Sequence, residues 1–389
     1  MADLPIIIVG AGMGGLTATL GLQRFGYKVV VLETAPELGE VGAGLTVTPN
    51  ATHALNFLGV GDRVAEFADT PEGGGVKHYR TGEVLVATDR GDEIVKTYGA
   101  RYYQIHRADM HQILTDAVLA NDPDCIKLSH TVEKVTQTDT SITAHCKGGI
   151  AVEGDVLVGC DGLRSAVRAN LIEEKAPRFT GQVAWRGLVP SDNLTKEMMT
   201  PSSAVTIGPG RIFTRYFVRH RKLVNYVAIA EKEDWREEGW AIPSTIEELL
   251  NEYQDFHESS RGIIEETPPN LLYKWALFDR DPVEQWTHGR ATLLGDAAHP
   301  MLPFLGQGAA MAIEDGCVLG RAFGAEADPV AAMHRYEKAR RPRANKMLLD
   351  SRAQGKNFQG QDPDSYDREK HRSAENPNIF GYNPATCEV

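Results

Sequence analysis

Leu4 to Val9 is an unbroken apolar run, as expected of a strand covered on both faces. Met13 to Phe25 then takes a helical period and stops at Gly26, a residue suited to end a helix. Lys28 to Leu32 is a second β-branched run, and it ends at Glu33. Strand, helix and strand in this order predict a βαβ unit. Glu37 to Asn50 is rich in glycine and turn residues and reads as a long loop. Ala51 to Leu58 and Arg107 to Leu119 have helical spacing, and Val152 to Cys160 is another buried strand that runs into Asp161.

The texture changes from Gly181 to Ala276. Alternating and β-branched runs at Val183 to Val189, Ser203 to Ile207, Arg211 to Val218 and Lys222 to Ala230 predict an antiparallel sheet. Ile246 to Phe256 reads as an amphipathic helix inserted in it. Arg290 to Leu294 returns to a buried strand. Ala309 to Phe323 and Val330 to Leu349 are expected helices, with Pro342 ending or kinking the second. After Gly355 the chain is polar and rich in Asp, Pro and Asn, which predicts a surface segment, partly disordered.

Composition narrows the function classes. The 389 residues exceed one ordinary domain, and 42% hydrophobic with 24% charged residues is the balance of a globular protein in water. A net charge of −12 offers no electrostatic footprint for nucleic acid or an anionic membrane. No apolar run is long enough to span a bilayer, and the start lacks the basic region of a signal peptide, so a cytoplasmic location is expected. The five cysteines are widely spaced with no Cys-x-x-Cys, which reads as reduced thiols, with no metal site.

Three segments carry chemistry. Gly10-Ala11-Gly12-Met13-Gly14-Gly15 lies between a strand and a helix. Gly10 suits the tight turn, Gly12 the approach of a pyrophosphate, and Gly15 close helix–strand packing, with the helix N-terminus facing the phosphates. Glu33, at the end of the second strand, is placed to accept hydrogen bonds from a ribose. This predicts a dinucleotide without choosing between FAD and NAD. Gly295-Asp296 makes that choice. It ends an apolar strand nearly 300 residues later, where an Asp can accept from a sugar or ribityl hydroxyl. Pro303-Phe304-Leu305-Gly306-Gln307-Gly308 then opens a helix at Ala309, whose backbone N–H groups could face negative charge on a flavin ring. Cys160-Asp161-Gly162, followed by Arg164 and Arg168 four residues apart, forms a third loop that could reach the pyrophosphate or an incoming pyridine nucleotide. Arg107, opening a helix, is a further pyrophosphate or flavin-side candidate.

In this order and spacing the motifs resemble the class A, single-component FAD-dependent aromatic monooxygenases with the p-hydroxybenzoate hydroxylase fold. Glu40-Val41-Gly42-Ala43-Gly44-Leu45, Ala184-Trp185-Arg186-Gly187, Gly295-Asp296-Ala297-Ala298-His299-Pro300 and Arg340-Arg341-Pro342-Arg343 are similar to the salicylate hydroxylase and 3-hydroxybenzoate 6-hydroxylase group. The resemblance covers residues 4 to about 350. It implies an α/β fold in which a Rossmann-like FAD-binding domain is interleaved with a substrate domain on a mainly antiparallel sheet. Its expected parts are 1–75, 101–180 and 280–350 for FAD, 76–100 and 181–279 for substrate, and 351–389 as a polar tail. It further implies that NADH or NADPH reduces the flavin. By the same resemblance, reduced flavin would capture O2 as a C4a-hydroperoxide that hydroxylates a small aromatic acid or phenol, and a monomer or homodimer is expected. Gly10, Gly12, Gly15, Glu33, Arg107, Asp161, Asp296, Gly308 and Ala309 are the expected FAD residues, with Pro303 beside the flavin.

Several relatives place a His four residues before a Tyr on the strand lining the ring pocket. Here that position is Ile212, with Tyr216 retained; Thr46 stands where 6-hydroxynicotinate monooxygenases carry a second His. Tyr216 is the remaining candidate to orient a substrate group. Arg186 and Arg215 are carboxylate partners by charge alone, and strand alternation puts Arg215 on the face opposite Tyr216. His299 reads as a structural turn residue, the other histidines as surface or turn residues, and Arg335 to Arg352 as a solvated basic face. Two further readings stand beside the hydroxylase: an oxygenase for an N-heterocycle such as a hydroxynicotinate, quinolone or urate, and a non-catalytic flavin-binding sensor. Pro303 and Gly306-Gln307-Gly308 disfavour the sensor, and Gly295-Asp296 disfavours a plain NAD dehydrogenase.

Overall fold

In the computed structural model, residues 4–39, 43–172, 176–232, 235, 242–360, 363–366 and 377–389 are described. The first three residues of the Glu40-to-Leu45 motif lie outside them.

The unbroken apolar runs become a parallel sheet because each can be covered on both faces. Its strands follow the order Ala291–Leu293, Leu157–Gly159, Ile6–Val9, Val29–Leu32 and Ile126–Lys127. All four pairings run parallel. Helix Met13–Gln23 packs against helix Gly308–Ala325 over this sheet. The alternating runs form an eight-stranded sheet instead. Its long strands Arg178–Pro190, Leu223–Glu231, Arg211–Val218 and Ser203–Gly208 pair antiparallel. Two earlier strands, Gly73–His78 and Val84–Asp89, extend the same sheet, the first running parallel to Ser203–Gly208. The parallel sheet therefore draws on three separated stretches of chain, and the antiparallel sheet lies between them in sequence.

Several local expectations change. The glycine-rich stretch after Glu37 is not all loop: Gly44–Val47 is a strand paired with Tyr103–His106, and a helix begins at Pro49. Glycine content masked the alternation that buries Leu45 and Val47. Ile246 to Phe256 is not one helix, because Ile246–Glu252 ends early and a second helix, Glu258–Glu265, follows. Arg164 precedes the short helix Ala166–Leu171, so it shares no helix face with Arg168. Pro342 neither ends nor breaks its helix, which runs unbroken from Pro329 to Phe358. The exposed proline removes one backbone bond, while buried Tyr336, Arg340, Ala344, Met347 and Leu348 fasten both sides.

The basic face also fails as an expectation. Arg340 is fully buried, Arg343 pairs with buried Glu314, and Arg352 pairs with buried Asp279. A single sequence shows which positions are basic; it does not show the acids, distant along the chain, that absorb them. Histidines depart likewise: His78, His106 and His111 are buried, not surface residues. The stretch after Gly355 is partly interior, since Phe358, Ile379 and Phe380 are buried. No described helix is long and apolar enough to cross a membrane.

Candidate active site

The three chemical segments meet at one edge of the parallel sheet. Gly10 follows strand Ile6–Val9, Glu33 follows Val29–Leu32, Asp161 follows Leu157–Gly159, and Gly295 follows Ala291–Leu293. This is the carboxyl edge, where open α/β sheets bind ligands. Gly10 has φ +99°, and a Cβ there would stand 2.7 Å from the Cys160 carbonyl oxygen, so the first and third loops touch through it. A Cβ on Gly15 would collide with the Gly10 carbonyl, which is the close packing expected of that position. A Cβ on Gly12 would meet nothing within 4 Å. That open space lies at the start of helix Met13–Gln23, the kind of helix end that attracts a phosphate.

Glu33 spans the same turn. Its carboxylate accepts from the Ala11 amide at 2.7 Å and the Ala35 amide at 2.8 Å. His111, which sequence reading set aside, donates from Nε2 to the Ala11 carbonyl at 2.8 Å and braces the glycine turn from below. Asp161 spends both oxygens inside its own loop, accepting from Ser165 Oγ at 2.5 Å and from the Val167 amide at 3.1 Å. Buried Arg168 extends from that loop to the Ala297 and Ala298 carbonyls, tying the third motif to the second.

Asp296 is the exposed member of its motif, held between buried Gly295 and Ala297. Its carboxyl is crowded by protein atoms even though its surface is open, as in a recess. Burial of its surroundings raises its pKa, partly offset by His299 and Arg107. Arg107 begins helix Arg107–Asn121 and so faces Asp296 from another stretch of chain. An open carboxylate, a cation, a vacant glycine turn and two helix starts together suit an elongated dinucleotide with hydroxyl and phosphate groups.

His299 is structural, as its motif suggested: it is fully buried and bonds Asp315 Oδ2 at 2.6 Å. Asp315 also accepts from the Gly295 amide and pairs with Arg340 Nε at 2.7 Å. Despite burial, its pKa is held down to about 2 by the charges of His299 and Arg340 and by its hydrogen bonds to them.

Beyond the Pro303–Leu305 turn lies a cavity of about 160 Å³. The turn supplies one wall with Pro303, Phe304 and Gly306, and the antiparallel sheet supplies the other with Val76, Ile212, Thr214 and Tyr216. The period of two places 212, 214 and 216 on this face. Arg215 points the other way, buried and donating to the Pro201 carbonyl at 2.6 Å. Arg186 is not among the lining residues either; its guanidinium stacks over Trp275. Neither arginine proposed from charge reaches the cavity. The cation that does is Arg90, over the Tyr102 ring at 4.6 Å. The sequence signal for it was slight, a lone arginine just after the Val84–Asp89 strand. Tyr216 and Thr46 both line the cavity, and the buried phenol, raised in pKa by desolvation, hydrogen-bonds Thr46. Among the described residues, no His, Asp, Glu or Lys lines the cavity.

Comparison with known proteins agrees with this geometry. A family model described as an FAD-binding domain matches residues 3–351. The chain belongs to this FAD-binding family, among the flavin-dependent aromatic monooxygenases. It is 35% identical over 354 residues to 3-amino-4-hydroxybenzoate 2-monooxygenase PtnB3 of Streptomyces platensis, covering 91% of this chain and 88% of that protein. It is 35% identical over 347 residues to 3-hydroxybenzoate 6-hydroxylase 1 of Aquipseudomonas alcaligenes, covering 89% and 87%. The structure of a salicylate hydroxylase substrate complex superposes with a TM-score of 0.83 at 25% identity, covering 98% of this chain and 96% of that one. The α/β fold of the p-hydroxybenzoate hydroxylase type and FAD as cofactor therefore stand as read from the sequence.

Proposed function

We propose that this flavoprotein hydroxylates a small aromatic acid bearing a ring hydroxyl or amino group, with NADH or NADPH as electron donor and O2 as oxidant. The observation that carries this reading is the cavity between the Pro303 turn and the sheet. Among the described residues its lining has one cation, Arg90, and no carboxylate. Its volume, about 160 Å³, is that of a single ring, since a cavity of roughly 150 Å³ accommodates benzene.

When bound, FAD supplies the activated oxygen. Gly10, Gly12, Gly15, Glu33, Arg107, Asp161, Asp296, Gly308 and Ala309 would hold it, with Pro303 beside it. The chain's own residues bind and orient the ring. Arg90 receives the substrate carboxylate in a charge-assisted hydrogen bond. The Tyr216–Thr46 pair takes the ring hydroxyl or amine. Val76, Ile212, Phe304 and Phe358 keep water away from the reacting carbon. With Ile212 in place of a base, activation relies on the electron richness of the substrate and on acceptors such as Thr46. This favours hydroxylated or aminated rings over unactivated ones.

The test is a panel of hydroxybenzoates, aminohydroxybenzoates and uncharged phenols, with NAD(P)H loss, hydroxylated product and H2O2 followed together. Coupled turnover of acids is expected. Efficient coupling of neutral phenols with none of the acids would overturn the proposal. Within that panel, Arg90→Gln raises KM for the acids by about 10–100-fold, the worth of a hydrogen bond to a charged group, and changes KM for neutral phenols by less than about threefold. Equal losses for both classes would remove Arg90 from carboxylate recognition.

A further inference from the structure

The chain past residue 351, where the family match stops, enters the cavity. Ile379 and Phe380 lie on its wall, and both are buried. Phe380 meets Tyr98 edge-on with ring centroids 5.6 Å apart, meets Tyr102 at 6.0 Å, and carries the Arg90 guanidinium 5.6 Å above its ring. It thus touches the cation and the aromatic floor beside it.

The segment is fastened by arginines of the FAD-side helices. Arg343 donates to the Ile379 carbonyl at 3.1 Å, and its guanidinium stacks 4.0 Å from the Tyr382 ring centroid. Arg321 donates to the carbonyls of Pro384 and Cys387, both at 2.8 Å, and Arg335 to that of Val389 at 2.6 Å. Three arginines spread along two helices thus hold one short segment, so its apolar end is presented to the cavity in one position.

We propose that Phe380, delivered by this clamped C-terminal segment, is a specificity-determining wall of the substrate cavity: it sets the largest ring accepted and seals the flavin side from water. The inference rests on the reading of this cavity as the aromatic-acid site. A phenylalanine is rigid and fills its space, so its removal leaves room that either a larger ring or water takes up.

The experiment uses the full-length, FAD-loaded protein with Phe380→Ala, Phe380→Leu and Phe380→Trp. Phe380→Ala is expected to shift preference from benzoate-sized toward naphthoate-sized acids by at least about tenfold, the scale of small volume changes in an apolar pocket. Its H2O2 share should rise several-fold on the small acids, and Phe380→Leu should fall between it and the parent. Phe380→Trp should move the preference toward the smallest rings, which keeps the test open if the alanine variant folds poorly. Iodide quenching of flavin fluorescence needs no substrate and should rise at least about twofold in Phe380→Ala. If the parent turns over no ring acid, the functional reading falls while the quenching still decides the wall. Unchanged quenching and an unchanged size ranking, with stoichiometric FAD, would overturn the wall.

Discussion

Arg340→Ala lowers the conformational stability of this protein by about 3–5 kcal/mol, the cost of stranding buried charge. Arg340 is wholly buried, with Nη1 paired to Glu314 at 2.5 Å and Nε to Asp315 at 2.7 Å. Both acids are themselves fully buried. Removing the guanidinium leaves Asp315 with His299 and the Gly295 amide, and Glu314 with Arg343 and Asn50. Arg340→Lys does not restore the loss, because one ammonium cannot serve two carboxylates in the planar geometry of a guanidinium. The urea midpoint of unfolding checks this, and a midpoint within experimental error of the parent would contradict it.

Acid acts on the same cluster. Asp315 has a folded pKa of about 2 against an ordinary value of 3.8. A carboxyl depressed on folding adds stability above its unfolded value, and the contribution is lost as pH falls through the folded one. The urea midpoint should therefore lose this contribution between about pH 4 and pH 2. The cluster also couples the two ends of the site, since Asp315 holds Gly295 while Arg340 and Arg343 both stack on Tyr382. Flavin release is expected to accompany the acid transition.

The second large effect is loss of cofactor from Asp296→Ala. Asp296 is the open carboxylate at the end of its strand, and Arg107 faces it. A hydrogen bond to a charged group contributes about 1.5–3 kcal/mol, so FAD affinity should fall by roughly 10–150-fold. The side chain is exposed and carries no structural bond comparable to those of Asp315, so folding should change little. Absorbance of flavin per mole of desalted protein, read beside the urea midpoint, separates the two. Retained stoichiometric flavin would remove Asp296 from the FAD site. Lost flavin with a collapsed midpoint would make its role structural.

Much of this was legible in the chain because it rests on local rules. A βαβ unit with glycines 10, 12 and 15 declares its turn by backbone sterics, and the structure has the positive φ and the close packing those glycines allow. Tyr216 and Ile212 were picked out by the family resemblance, and strand alternation then placed Arg215 on the opposite face. The errors share one cause. Arg340 within a basic run looked solvated and the tail after Gly355 looked like a surface segment, yet each is decided by partners distant in sequence. Arg90 escaped notice for the same reason: nothing around it in sequence shows that the chain folds it over Tyr102 beside Phe380.

The sequence by itself determined the class of fold and the cofactor. Glycine sterics, strand periodicity and an acid at a strand end are properties of short stretches, and they keep their meaning wherever those stretches are placed. Only the tertiary structure decided which charges are buried and which residues enclose the cavity. A cavity wall is assembled from the Gly44–Val47, Gly73–His78, Ser203–Gly208 and Arg211–Val218 strands, the Pro303 turn and the Ile379–Phe380 segment. The free energy of a charge depends on the atoms that replace water around it, and those atoms are named only by the packed chain.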